Sequence, residues 1–339
     1  MTTVPGSPPK PRPSAERLVH PSIESRIVPR FRRSRSRSLS IGVPLVALAI
    51  GAVSCAPSTR DGEEPPRIAA DSAAVAARPP LIAKVEHFYA TAPDAERLFA
   101  FFRDTLGLAA VWPYRDYGGF ASGAVSLGNV AFEFATWKPE DGATLPTRFD
   151  GIAFEPVGNT DAALAALARR GVAHSAPDSS TSVGAGGRTV GWVNTNLRGL
   201  IPPAEGVFLC DYVERARIAQ GRAAASAALD GANGGPLGVQ SLQEIVVGVA
   251  DMDAALEQWR KLIDAPAQES DGVFSFGAGP RVRLVRSAAP GIHHILIRVR
   301  SLDTARAFLA GRGLLATGGQ GVAVAPTAIG GLDVRLTER

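Results

Sequence analysis

Four times along this chain, a short β-branched or aromatic segment leads through an acidic residue into an amphipathic stretch, and then into Gly-bounded apolar segments. The openings are Lys84–Tyr89, Asp150–Glu155, Leu242–Val247 and Ile292–Ile297. Each is followed by a carboxylate, at Asp94, Asp161, Asp253 and Asp303, of the kind that satisfies free N–H groups and suits the dipole at a helix start. Leu98, Phe101, Phe102 and Leu106 recur at three- and four-residue spacing, as do Met252, Leu256, Trp259 and Ile263, so each helix has one apolar face. Leu164 with Leu167 and Phe308 with Leu309 repeat the pattern more weakly. Gly107, Gly171 and Gly313 follow the helical stretches as left-handed caps would. Ala124–Leu127, Val130–Thr136, Thr189–Asn194, Val207–Tyr212 and Arg281–Arg286 read as strands. A βαβββ unit cannot bury its own sheet face, so the predicted class is α+β, with four tandem βαβββ modules paired into two domains.

A chain of 339 residues has room for two such cores. The expected organisation is a leader over 1–54, a Pro-, Ala- and charge-rich tether over 55–80, a first domain over 81–213, a linker over 214–238 and a second domain over 239–339. The linker begins with an Ala- and Arg-rich helical stretch and ends in Asp230-Gly231-Ala232-Asn233-Gly234-Gly235-Pro236. Ser179–Gly187 reads as a flexible loop, and its glycines follow no strand–loop–helix phosphate pattern.

The net charge of +4 misleads unless it is located. Residues 1–54 hold nine Lys and Arg against Glu16 and Glu24, more positive charge than the whole chain carries, so the remainder is net acidic. That excludes nucleic acid as a partner, since a phosphate-binding surface needs its cations on the folded part. The leader itself is a basic run, Phe31–Arg37, followed by the apolar stretch Leu39–Val53, too short to span a bilayer comfortably. It ends at Ala52-Val53-Ser54-Cys55, which resembles a bacterial lipobox with Ala52 where leucine is usual. Export with lipidation of Cys55, and so membrane attachment, is expected; ordinary signal-peptidase cleavage and an uncleaved anchor are the alternatives. The Pro- and Ser-rich residues ahead of it suggest a translation start near Val28. With only Cys55 and Cys210 in the chain, neither a disulfide framework nor a CxxC zinc site supports the fold.

Glu86-His87 in a first strand, the helix end Phe101-Phe102-Arg103-Asp104-Thr105-Leu106-Gly107-Leu108, and Gly128-Asn129 leading to Glu133 in a last strand together resemble the glyoxalase/bleomycin resistance/dioxygenase (vicinal oxygen chelate) superfamily. The resemblance extends over nearly all of residues 81–339 and implies pairs of modules around cup-shaped cavities. It further implies a divalent metal (iron, zinc, manganese or nickel) held by first-strand and last-strand residues of paired modules, with open positions for two substrate oxygens. Carried over, the first domain's ligands fall on His87 and Glu133. The second module's equivalents are Gly151, which cannot ligate, and Cys210, with Glu155 on the strand face of Gly151. In the second domain the first-strand positions fall on Glu244 and His294, with His293 expected on the opposite face. The last strands there offer Arg283 and Arg335, which suit an anionic ligand better than a metal, and Glu338 would be a third ligand only in a shifted register.

Each of these residues also has a structural reading. His87 could be a hydrogen-bonded core histidine, Cys210 a small buried hydrophobe, and Trp112, Tyr114, Tyr117 and Phe120 either a pocket wall or ordinary packing. Glu133 in an apolar strand needs a partner and so marks a pocket. Two functions follow. One is a metal-dependent lyase, isomerase or dioxygenase acting on a small oxygenated substrate, with Glu133 or Glu155 as its base. The other is a non-catalytic small-molecule-binding or sequestering protein on the same fold. Oligomeric state is not legible from the sequence.

Overall fold

A computed structural model describes residues 80–338, apart from 139–141, 143, 185–186, 202–205, 266–267 and 319–320. The expected leader, most of the tether and Cys55 lie outside the described residues.

Two curled sheets organise the described chain. The first module runs β1 (Ile82–Thr91), α1 (Ala95–Ala100) extended by a wider π-turn over Phe101–Thr105, β2 (Ala110–Asp116), β3 (Phe120–Ser126) and β4 (Ala131–Trp137). The second runs β5 (Arg148–Pro156), α2 (Thr160–Arg170), β6 (Asp178–Gly184), β7 (Gly187–Asn196) and β8 (Val207–Tyr212). They join in one eight-stranded sheet of order β2-β3-β4-β1-β5-β8-β7-β6. After α3 (Arg215–Gly231) comes the third module: β9 (Val239–Val249), α4 (Met252–Arg260), β10 (Glu269–Ser270), β11 (Val273–Phe274) and β12 (Arg281–Arg286). The fourth has β13 (Gly291–Val299), α5 (Leu302–Gly311), β14 (Val322–Ala323) and β15 (Val334–Thr337), one strand fewer among the described residues. These form the sheet β10-β11-β12-β9-β13-β15-β14. The fold is α+β, built from paired modules as expected.

Local chemistry explains the elements. The acidic residues that mark helix starts divide into two roles. Asp94 caps α1 itself, accepting from the Arg97 N–H. In the other three modules' helices the cap lies two residues earlier, at Asn159, Asp251 and Ser301, while Asp161, Asp253 and Asp303 sit in the first turn. A cap needs a short side chain on non-helical backbone ahead of the helix, whereas the first-turn carboxylate answers the dipole. Gly107, Gly171 and Gly313 all have positive φ, as the cap reading requires. Ser179–Gly187 is not a loop. Its described residues belong to β6 and β7, where Ser180 pairs with Trp192 and Thr181 with Val190. A run of small hydroxyl residues lacks the hydrophobic alternation by which a strand is recognised, and here pairing with β7 holds it extended.

The buried faces of both sheets and their helices share one apolar cluster. Trp259 of α4 is fully buried, lies edge-on to Phe154 of β5 and donates its indole N–H to the Leu200 carbonyl at 3.0 Å. Arg170, at the end of α2, donates to the carbonyls of Lys261, Leu262 and Ile263, just past α4, and pairs with Asp264 at 2.7 Å. A guanidinium there satisfies carbonyls that a helix end leaves open. Asn129 meets the Leu242 backbone with both amide atoms, at 3.0 and 2.9 Å.

Candidate functional site

Of the six register shifts between β1 and β5 and between β9 and β13, four shape the inner faces of the sheets, opposite the apolar cluster. Between β1 and β5 the pairing steps from Val85↔Phe154 to His87↔Ala153, leaving Glu86 extra, and from Tyr89↔Gly151 to Ala90↔Phe149, leaving Asp150 extra. Between β9 and β13 the extra residues are Gln243 and His293. Each of these four falls one residue before an expected first-strand ligand position: His87, Gly151, Glu244 and His294. A bulge turns its extra side chain out of the normal alternation. Glu86 and His87 therefore share a face, as do His293 and His294. His293 lies over Gly248, where an added Cβ would meet its ring, so it occupies the inner face and not the opposite one. Simple alternation could not reveal this, because it assumes an unbroken strand.

The first sheet's inner face carries a continuous polar chain. His87 is 4% exposed, with Nδ1 against a Glu86 carboxylate oxygen and Nε2 3.2 Å from Glu133 Oε2. Both of its ring nitrogens thus face carboxylates. Glu86 pairs in turn with Arg222 of α3, and Arg222 also reaches the Glu86 carbonyl at 3.4 Å. Burial pushes the Glu86 carboxyl up, but His87, with Arg222 and Lys84, outweighs it and holds the carboxyl below its ordinary value. Trp112 lies edge-on to His87 at 6.3 Å and donates to Ser122 Oγ at 3.4 Å.

The segment expected to be a linker therefore contributes to this face. Helix α3 touches β2 and β3 on one side and β8 on the other, so it lies in the hollow of the curled sheet. Arg222 was not singled out from the sequence, and Glu86 entered only as half of the Glu86-His87 motif, with no role of its own. The pairing joins residues 136 positions apart, and the only local sign was an arginine within an alanine-rich helix.

The second module completes this face without a ligand. Gly151 leaves no room for any side chain, since a Cβ there would lie 1.8 Å from the Gly206 carbonyl oxygen and 2.5 Å from the Tyr89 ring. Glu133 pairs with Tyr89, two residues past His87; the same offset from Gly151 leads to Ala153, whose partner on β8 is Phe208. Phe208, not Cys210, thus stands where Glu133 stands in the first module, with its ring 5.7 Å from His87. Cys210 is buried two residues further along the same face, and burial, then the Glu86 charge, push its thiol well above the ordinary range. Burial does the same to the Tyr89 and Tyr212 hydroxyls. Glu155 is engaged by Lys84 at 3.2 Å. Tyr114 packs against Phe99 on the helix side and bonds Thr136, while Phe120 stacks with Tyr117 and packs on Trp137.

On the second sheet, Glu244 pairs with Arg281 across the β9–β12 register, and Arg283 lies opposite Val246, the place that corresponds to Glu133. Arg335, opposite Leu296, holds the corresponding place in the fourth module. Arg283 binds Glu244 through two bonds of 2.8 Å, and Arg281 adds a third contact at 2.8 Å. Hydrogen bonds from Arg283 hold the Glu244 carboxyl below its ordinary value. Burial, reinforced by Arg335, pushes the His294 imidazole below its ordinary value. Arg335 pairs with Asp333 at 2.7 Å. Glu338 accepts from the Leu302 N–H at the start of α5.

His87 Nε2 and Glu133 Oε2 are close enough to share an ion with bonds of about 2.0–2.2 Å. A catalytic site ordinarily has three protein ligands, but Gly151 and Phe208 supply none, and Glu86 is committed to Arg222. Among the described residues no three His, Cys, Asp or Glu side chains are grouped to hold an ion. The residues present do not fit a three-ligand centre.

The sequence matches no protein-family model and no curated protein. Solved structures do match. A hypothetical protein from Staphylococcus aureus aligns at 13% identity and TM-score 0.50, over 75% of this chain and 98% of that one. The 2,3-dioxygenase LapB from Pseudomonas sp. KL28 aligns at 11% identity and TM-score 0.51, over 76% and 92%. An extradiol ring-cleaving dioxygenase from B. fuscum aligns at 12% identity and TM-score 0.50, over 77% and 73%. At such identity the likeness is one of fold, and function has to be argued from the site.

Proposed function

We propose that this chain is a non-catalytic small-molecule-binding protein on the fold that it shares with extradiol dioxygenases, exported and attached to a membrane through Cys55. The observation that carries the reading is the exchange of carboxylate for guanidinium at the last-strand positions of the second sheet. Arg283 and Arg335 stand where Glu133 stands in the first, and Glu244 is already neutralised by two arginines. Three guanidinium groups on one inner face, each more than a third exposed, pair directly with two carboxylates, Glu244 and Asp333. With His293 and His294 beside them, they favour a small carboxylate or phosphate ligand.

The alternative, a metal-dependent lyase, isomerase or dioxygenase with Glu133 as base, draws on the fold and on the His87–Glu133 approach. It lacks a third donor. Elemental mass spectrometry on protein starting at Ala56, after reconstitution with iron, zinc, manganese and nickel, separates the two. Metal well below one ion per chain, together with a thermal shift on adding dicarboxylates that weakens in Arg335→Ala, supports binding. One tightly held ion per chain, lost in His87→Ala, with turnover of a diol or carbonyl substrate, would overturn it.

A further inference from the structure

Helix α3 has little of its own to keep it in the hollow of the first sheet. Its first turn holds no acidic residue, Glu214 makes no side-chain cap, Gly221 interrupts its middle, and of its apolar residues only Ala225 and Leu229 are buried. Arg215 ties the first residue to Asp211 at 2.6 Å. Further along, Arg222 anchors the helix to the sheet.

The surroundings of Arg222 are those of a bound organic cation. Its guanidinium carbon lies 5.4 Å from the Trp112 ring centre and 5.8 Å from that of Tyr212, within the range of cation–π attraction. It pairs with Glu86, whose side chain is 1% exposed, and lies 3.4 Å from the Tyr212 hydroxyl. Trp112, Glu86 and Tyr212 come from β2, β1 and β8, so the box is built by the sheet alone and the occupant by α3. The fit is incomplete, because Arg222 Nε is buried with no hydrogen-bond partner. A tethered side chain leaves such an N–H stranded because the helix dictates its approach; a free cation can turn to use all of its donors.

We propose that the inner face of the first sheet is a receptor for a small planar cation of the guanidinium class, and that Arg222 is a tethered occupant which such a ligand displaces. The proposal is independent of the anion-binding reading of the second sheet, and the two stand or fall separately. A tethered competitor acts at an effective concentration on the order of millimolar, so the intact protein responds only to comparable ligand levels.

Methylguanidinium is the probe. In Arg222→Ala, shown to be folded by circular dichroism, millimolar methylguanidinium should raise the melting temperature saturably by several degrees. Sodium chloride at equal ionic strength should not, and the rise should vanish in Arg222→Ala/Glu86→Gln. In the wild-type protein, which serves if Arg222→Ala does not fold, the same probe should speed amide hydrogen exchange severalfold across residues 215–231 while leaving β13 unchanged. A folded Arg222→Ala that melts no higher than in sodium chloride, or a wild-type α3 whose exchange does not change, overturns the proposal.

Discussion

Replacing Glu86 by Gln should destabilise the protein far more than loss of a surface ion pair would. The Glu86 and Arg222 side chains are 1% and 15% exposed, which places the pair among buried bridges. Removing one member of a buried pair costs about 3–5 kcal/mol, because the other charge is left without compensation, whereas exposed pairs contribute about 0–1 kcal/mol. The amide oxygen of Gln can still accept from Arg222, so the lower end, about 3 kcal/mol, is expected. Urea unfolding followed by far-UV circular dichroism at pH 7 should show it as a midpoint lowered by about 1 M, for a slope near 3 kcal/mol/M. The pH dependence fixes the sign. Glu86 titrates below its ordinary value of 4.5 in the folded protein, so its contribution is complete above that pH and is lost as pH falls through the folded value. The gap between wild type and variant should therefore close in acid. Replacing both partners, as Glu86→Gln/Arg222→Met, should recover most of the loss, since an apolar pair removes the uncompensated charge. A loss below about 1 kcal/mol at pH 7, or a gap that persists unchanged to pH 3, would refute the assignment of a buried charge network.

Other consequences are measurable by simpler means. Trp259→Ala should cost about 3–5 kcal/mol for the cavity, with roughly 1 kcal/mol more for the stranded Leu200 carbonyl. Because Trp259 joins both halves of one core, thermal scans of the variant should show a single lowered transition; two separate ones would mean that the sheets unfold independently. Gly151→Ala should fold poorly or melt well below wild type, since its Cβ has no space beside Gly206 and Tyr89, and Gly151→His should fail to create a metal site for the same reason. Cys210 should resist iodoacetamide at pH 8 in the folded protein and react after denaturation, as its burial and raised thiol value require; rapid native labelling would show an open path to the inner face. His294 has a lowered folded value, so it contributes stability above about pH 6.5 that is lost on acidification. Urea titrations between pH 7.5 and 5.5 should show a shallower slope in His294→Gln.

The sequence by itself determined the repeating unit and hence the fold class. Periodic apolar faces, cap residues and glycines at helix ends are local signals, and Leu98, Phe102, Trp259, Gly107, Gly171 and Gly313 took the places that their spacing gave them. His87 and Glu133 were also within reach, through the family resemblance whose first-strand and last-strand places they fill, and they do meet at 3.2 Å. Only the tertiary structure decided what surrounds them. The bulges at Glu86 and His293 arise from pairing between distant strands, and they reverse the faces that alternation assigns. The register of β5 on β8 put Phe208 in the place expected for Cys210, a shift of two residues that no single strand's pattern records. The role of α3 was hidden for a similar reason. An alanine-rich helix beside a glycine-rich turn looks like a spacer, and whether its arginine meets solvent or a buried carboxylate depends on the curl of the sheet beneath it.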